Sequence, residues 1–188
     1  MVDSEIITFS LAIFVLSVIG FFAIPGAQDL WSFQGGQFFK GEIWRIITFN
    51  FVHLDILHLI GNIIALLITT LLAMEIEMKS QYFIMLFFVS SIVLALVEGI
   101  FFPFLVIAGA SLGIYSMLGG VSVEGRRLIP IYVFVPLVIL SILLNQFFND
   151  TSTIIQGLFH FFGFLSGILL YYGTVKYINK RRPILSST

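Results

Sequence analysis

Apolar runs long enough to cross a bilayer follow one another through this chain with only short polar interruptions. That pattern constrains the fold before anything else, because a crossing helix needs about 20 predominantly apolar residues. Such runs occupy residues 6–24, 51–74, 82–102, 129–148 and 153–178. Between residues 84 and 123 the chain is almost continuously apolar, and Pro103 marks the break inside it. A further run, 110–123, is short for a crossing, so it is expected to begin below the membrane surface, sheltered by its neighbours. The expected fold is an all-α membrane protein with six transmembrane helices, the fourth short and buried, forming a single domain over residues 1–188.

Composition agrees. A chain that is 59% hydrophobic and 10% charged does not read as a soluble domain. A formal net charge of −1 gives no basis for binding nucleic acid, and the lack of cysteine excludes disulfides and thiolate metal sites. Residues 1–5 lack a basic region ahead of the first run, which is therefore expected to be a retained span and not a cleaved signal. Residues 26–50 hold Trp31, Phe33, Phe38, Phe39, Trp44 and Arg45, a composition suited to lying at the interface.

Lysine and arginine set the orientation. Placing both termini inside puts Lys79, Arg126, Arg127, Lys176, Lys180, Arg181 and Arg182 inside and leaves only Lys40 and Arg45 outside. The basic tail, 179–188, would then face anionic lipid. A multi-pass protein of a prokaryotic plasma membrane with both termini cytoplasmic is expected, since no transit peptide or soluble appendage is evident.

Polar side chains inside apolar runs are costly and tend to face the bundle interior and carry function. In the expected topology His58, Asn62 and His160 fall about 10–15 Å below the outer surface, at a rise of roughly 1.5 Å per residue. Ser111 joins them if its helix starts recessed. Gly109, Gly113, Ser116 and Gly120 are expected to form one small-residue face, while Ser111 and Tyr115 share another. His160, Gly163 and Gly167 place an imidazole on a close-packing stripe. Taken alone, Ser111 reads first as a packing serine, and His160 reads as well as a histidine satisfied by a carbonyl or water. His58 and Asn62, four apart, are either donors converging on an oxyanion or interhelical polar packing. His53 and His58, five apart, are expected to spread around their helix. No zinc-protease pattern is present, so neither metal nor cofactor is expected.

Assembled, these residues resemble the rhomboid intramembrane serine proteases. The resemblance rests on Trp44-Arg45, His53, His58 and Asn62, then Gly109-Ala110-Ser111 with Tyr115, then His160, Gly163 and Gly167, and it spans about residues 5–175. It implies Ser111 as nucleophile and His160 as general base, with no acidic third member. Tyr115 would stack on His160. His58, Asn62 and the Ser111 backbone N–H would hold the oxyanion, while Trp44 and Arg45 would anchor the first loop. The implied partners are the lipid bilayer and transmembrane protein substrates.

Leu112 stands where the family carries glycine. Its extra carbons add bulk at a tight contact between the fourth and sixth helices and could push His160 out of hydrogen-bond range, unless Gly113 relieves them by a small rotation of the fourth helix. Phe159, bulkier than the alanine common in the family, adds to that expectation. Leu112 thus motivates the alternative of a catalytically inactive rhomboid-like protein that binds membrane clients. A small transporter or channel is a third reading, disfavoured by the lack of inverted repeats and of paired carboxylates within the spans.

Overall fold

The computed structural model describes the backbone of residues 4–148 and 154–185 and the side chains of residues 4–144 and 154–175. Among the described residues the regular structure is helical, apart from one isolated bridge between Phe33 and Ile107. Long helices are α1 (Ser4–Phe22), α5 (Ile56–Glu75), α6 (Ser80–Phe101), α8 (Ile131–Phe148) and α9 (Ile154–Leu185). The loop between α1 and α5 carries three short helices, α2 (Ala27–Trp31), α3 (Gly35–Phe38) and α4 (Arg45–Thr48). The 14-residue α7 (Ser111–Glu124) is the short helix of the bundle. Four helices, α1, α5, α6 and α9 over Ile154–Val175, are long and apolar enough to cross a membrane, and α8 is a shorter apolar helix over Ile131–Leu144.

Two boundaries depart from the apolar runs for physical reasons. The run at 51–74 turns helical only at Ile56, because the Asp55 carboxylate accepts the His58 amide at 2.7 Å and caps the helix. His53 therefore precedes the helix and does not share a helical wheel with His58. At the other end, α9 stays helical to Leu185, past residue 178 where the span was expected to stop. The side chains of Lys176, Lys180, Arg181 and Arg182 lie outside the described residues.

Gly125 lies against Ile76, which gathers Lys79, Arg126 and Arg127 at one end of the bundle. Lys40 and Arg45 belong to the loop at the opposite end, where the Gly109 amide donates to the Phe49 carbonyl at 2.8 Å.

Close helix contact in a membrane comes from small residues that let backbones touch. At Gly167 an added Cβ would overlap the Ser116 carbonyl, and at Gly119 the Phe164 carbonyl. At Gly163 it would stand 3.0 Å from the Leu112 carbonyl. These three positions press α7 onto α9. The remaining small residues face elsewhere: Gly113 receives the Phe87 ring and Gly120 the Leu86 side chain, both from α6. Gly113, Ser116 and Gly120 thus share the expected small-residue face, which meets α6, and Gly119 adds a second face toward α9. Gly109 is on neither, since it precedes the helix.

Hydroxyls stitch the same crossing. Ser90 and Ser116 are buried with their Oγ atoms 2.7 Å apart, and Ser166 Oγ lies 2.9 Å from Ser90, so α6, α7 and α9 meet through one serine cluster. Around it Phe83, Leu86, Phe87, Met117 and Phe164 are fully buried.

Replacing Gly167 with valine is expected to lower the unfolding midpoint in detergent, at an overpacking cost of about 1–3 kcal/mol. Gly173→Val, at a position where an added Cβ meets no neighbouring element within 4 Å, is expected to leave that midpoint nearly unchanged. Thermal unfolding of the two variants checks the pair.

Candidate functional site

The crossing of α7 and α9 brings Ser111, the first residue of α7, against His160 in the second turn of α9. Ser111 Oγ lies 2.8 Å from His160 Nε2. The imidazole is buried, and its other nitrogen, Nδ1, has no hydrogen-bond partner. Among the described residues no carboxylate is hydrogen-bonded to this ring. Tyr115, one turn along α7 from the serine, stacks on it instead, with ring centroids 4.9 Å apart and planes at 24°. The far end of Tyr115 is held by α8, where Ser141 Oγ lies 2.8 Å from the phenol oxygen.

Leu112 does not separate the pair. Its side chain joins an apolar cluster with Phe33, Phe49, Ile107 and, from the first turns of α9, Phe159. What it presents to Gly163 is its carbonyl. The expected crowding is absent because a residue one step along a helix points about 100° away from the serine. Phe159, the other bulky departure, fills the same cluster and supports it.

The approach to Ser111 depends on Gly109. Its φ of +102° is a conformation that side chains disfavour. A Cβ there would also stand 2.8 Å from His58 Nε2 and 3.5 Å from His53 Cδ2. Glycine therefore both turns the chain into α7 and admits the His58 ring beside it. Ala110, at the N-cap, offers no side-chain acceptor, so the first N–H groups of α7 are left for another acceptor.

His58 and Asn62 face this point from α5. One Asn62 amide hydrogen goes to the His58 carbonyl at 2.9 Å, and the side chain carries a second N–H. His53 is fully buried, its ring edge-on to His58 at 5.1 Å. Gln28 holds the His53 carbonyl at 2.7 Å.

Trp44 and Arg45 stand apart from the pair. Arg45 is buried, its guanidinium donating to Glu42 Oε2 at 2.6 Å and to the Asp29 and Ser32 carbonyls at 2.7 Å each. Trp44 donates to the Leu30 carbonyl at 3.1 Å. These bonds shape the loop, and the loop holds the segment that leads into Ser111. Phe33 and Ile107 exchange two backbone bonds of 2.8 Å, and the Gly36 amide donates to Pro103 at 2.9 Å.

A cavity of about 550 Å³ opens beside the pair. Leu57, Ile60 and Ile64 of α5 and Leu137, Leu140 and Leu144 of α8 supply its apolar walls, with Ser111, His160, His58, Asn62, Tyr115 and Ser141 as its polar points. Among the described residues no group of three or more His, Asp or Glu side chains could hold a metal ion. A hydroxyl in hydrogen bond with an imidazole, next to free N–H donors and an apolar slot, has the parts needed for acyl transfer.

Sequence reasoning missed Ser141 and the conformational demand on Gly109. The first carried a readable signal, since Ser141 and Tyr132 are the polar residues in the apolar stretch Ile131–Leu144. The second had none, because a positive φ is visible only once the loop is built.

Residues 40–177 match the family model described as Rhomboid domain. Rhomboid-like protease 3 of Toxoplasma gondii is 29% identical over 147 residues, which cover 74% of this chain and 53% of that protein. Rhomboid-related protein 2 of Mus musculus is 30% identical over 110 residues, covering 55% of this chain and 35% of that protein. The chain thus spans about half the length of the first relative and about a third of the second.

Gly109→Ala is expected to slow the reaction of Ser111 with a serine-directed fluorophosphonate by about tenfold or more, since a misplacement of about 1 Å at such a site can cost about 100-fold. Labelling rates compared with the parent chain, at matched folded fraction, measure it.

Proposed function

Because the chain belongs to the rhomboid family and is an integral membrane protein of that kind, we propose that it is an intramembrane serine endopeptidase working through a Ser111–His160 dyad. The observation that carries this reading is the 2.8 Å contact between Ser111 Oγ and His160 Nε2. Two residues 49 apart in sequence have no local reason to meet.

In this reading His160 Nε2 takes the Ser111 proton as Oγ attacks the scissile carbonyl. The oxyanion that forms is held by the Ser111 N–H, the second Asn62 N–H and the His58 ring, donors worth about 3–4 kcal/mol each in known cases. His160 then returns the proton to the leaving amine, the C–N bond breaks, and Ser111 keeps the acyl group. A water molecule, deprotonated by His160, attacks the ester; the bond to Ser111 Oγ breaks, His160 returns the proton to Oγ, and the new carboxylate is freed. Tyr115 keeps the imidazole in plane, a task that a carboxylate performs in a triad.

The substrate is a transmembrane segment cut near its outer end, where small or helix-destabilising residues let the backbone extend. The slot between α5 and α8 supports this, since apolar walls with a few convergent polar points suit a lipid-soluble chain. The chain crosses the membrane six times, with α7 and α8 as the shorter crossings and both termini on the cytoplasmic side. The split of Lys79, Arg126 and Arg127 from Lys40 and Arg45 supports that orientation. The inactive alternative drew on Leu112, whose side chain shares a cluster with Phe33 and Phe159 while Ser111 and His160 remain in contact.

Purified and reconstituted with a model transmembrane substrate, the parent chain is expected to cleave it and to be labelled by a fluorophosphonate. Ser111→Ala should lose both and keep its fold; labelling that survives the substitution would refute the assignment. Asn62→Ala is expected to lower kcat by about 100-fold with little change in KM, read from initial rates.

A further inference from the structure

Ser141 carries a hydroxyl where its neighbours on the cavity side of α8 are Leu137, Leu140 and Leu144. A hydroxyl inside a helix can bond to its own carbonyl four residues back. Thr69, Thr70 and Thr174 do so at 2.7–2.8 Å. Ser141 reaches across to α7 and meets the Tyr115 hydroxyl at 2.8 Å.

The contact continues into the dyad. Tyr115 stacks on His160 at 4.9 Å, and His160 holds Ser111 at 2.8 Å. With Nδ1 unpartnered, the imidazole has its bond to Ser111 and the tyrosine face to set its plane. A tyrosine ring is tethered at Cβ and swings at its hydroxyl end, so Ser141 fixes the free end of the ring that fixes the imidazole. Pro136 lies inside α8 on the side toward Ile131 and lacks the N–H that would close its turn. The stretch bearing Ser141 is therefore joined to the rest of α8 through a weakened turn, and its seating against α7 rests in part on this bond.

We propose that Ser141 is a positioning residue: its hydrogen bond to Tyr115 holds the His160 imidazole in the plane that Ser111 requires, and makes the reactivity of the dyad depend on how α8 is seated. This rests on the reading of Ser111 and His160 as the reacting pair.

The chain has three histidines, His53, His58 and His160. Carbon-13 labelling of their Cε1 positions in the full chain in detergent gives three ring signals, assigned by single His→Gln variants. Ser141→Ala shifts or broadens the His160 signal and leaves that of His53 in place; an unmoved His160 signal overturns the proposal. In cleavage assays Ser141→Ala lowers kcat about fivefold, the scale of one interhelical hydrogen bond in a membrane, with KM within about twofold. Ser141→Thr restores the parent rate, and Tyr115→Phe added to Ser141→Ala costs nothing further. A loss confined to KM, no rescue by threonine, or additive losses in the double variant each overturn it. A parent chain that neither cleaves nor labels refutes the protease reading, while the ring signals still decide whether Ser141 governs His160.

Discussion

Backbone contact between α7 and α9 is the interaction on which the rest of this molecule depends. Lipid tails are as apolar as leucine, so burial alone gives two membrane helices little reason to associate. What brings them together is packing at distances that a side chain would prevent. Gly119, Gly163 and Gly167 supply that surface, each with a carbonyl of the facing helix within 3.0 Å of where its Cβ would be. The buried serines at 90, 116 and 166 add polar attraction at the same level. A hydroxyl and an imidazole far apart in sequence are thereby held at hydrogen-bond distance.

A second constraint sets where α7 begins. Its first residue is aimed by a segment that could not hold its own shape, and the loop before α5 holds it through backbone bonds at Phe33, Gly36 and Phe49. Arg45 makes that loop rigid by satisfying two carbonyls and the carboxylate of Glu42 from a buried position. The left-handed turn at Gly109 is the point where this scaffold is transferred to Ser111. Residues distant from the chemistry thus matter because they define the direction from which the serine enters.

The arrangement also suits its surroundings. A buried carboxylate behind His160 would add a permanent charge in an apolar medium, where desolvation is expensive. The site uses a stacked phenol in that place, which orients the ring without a charge to stabilise. The phenol in turn finds its partner on α8, so no strong hydrogen-bonding group of Tyr115 is left bare.

Much of the architecture could be read from hydropathy, because the bilayer restricts a chain to helices of a given length and makes each polar residue within them conspicuous. The helices fall close to the apolar runs, and Ser111, His160, His58 and Asn62 stand out for the same reason. Local capping escaped that reading: Asp55 shortens α5, and His53 moves outside it. Leu112 was misread because its position in a motif says nothing about which way a helical side chain points; only the rotation of α7 sends it into the Phe33 and Phe159 cluster. The order of the chain by itself determined which groups are too costly to sit in lipid without a purpose. Only the tertiary structure decided which of them touch, because contact between distant residues depends on helix rotation and approach to within fractions of an ångström, and those are set by the sum of all the packing.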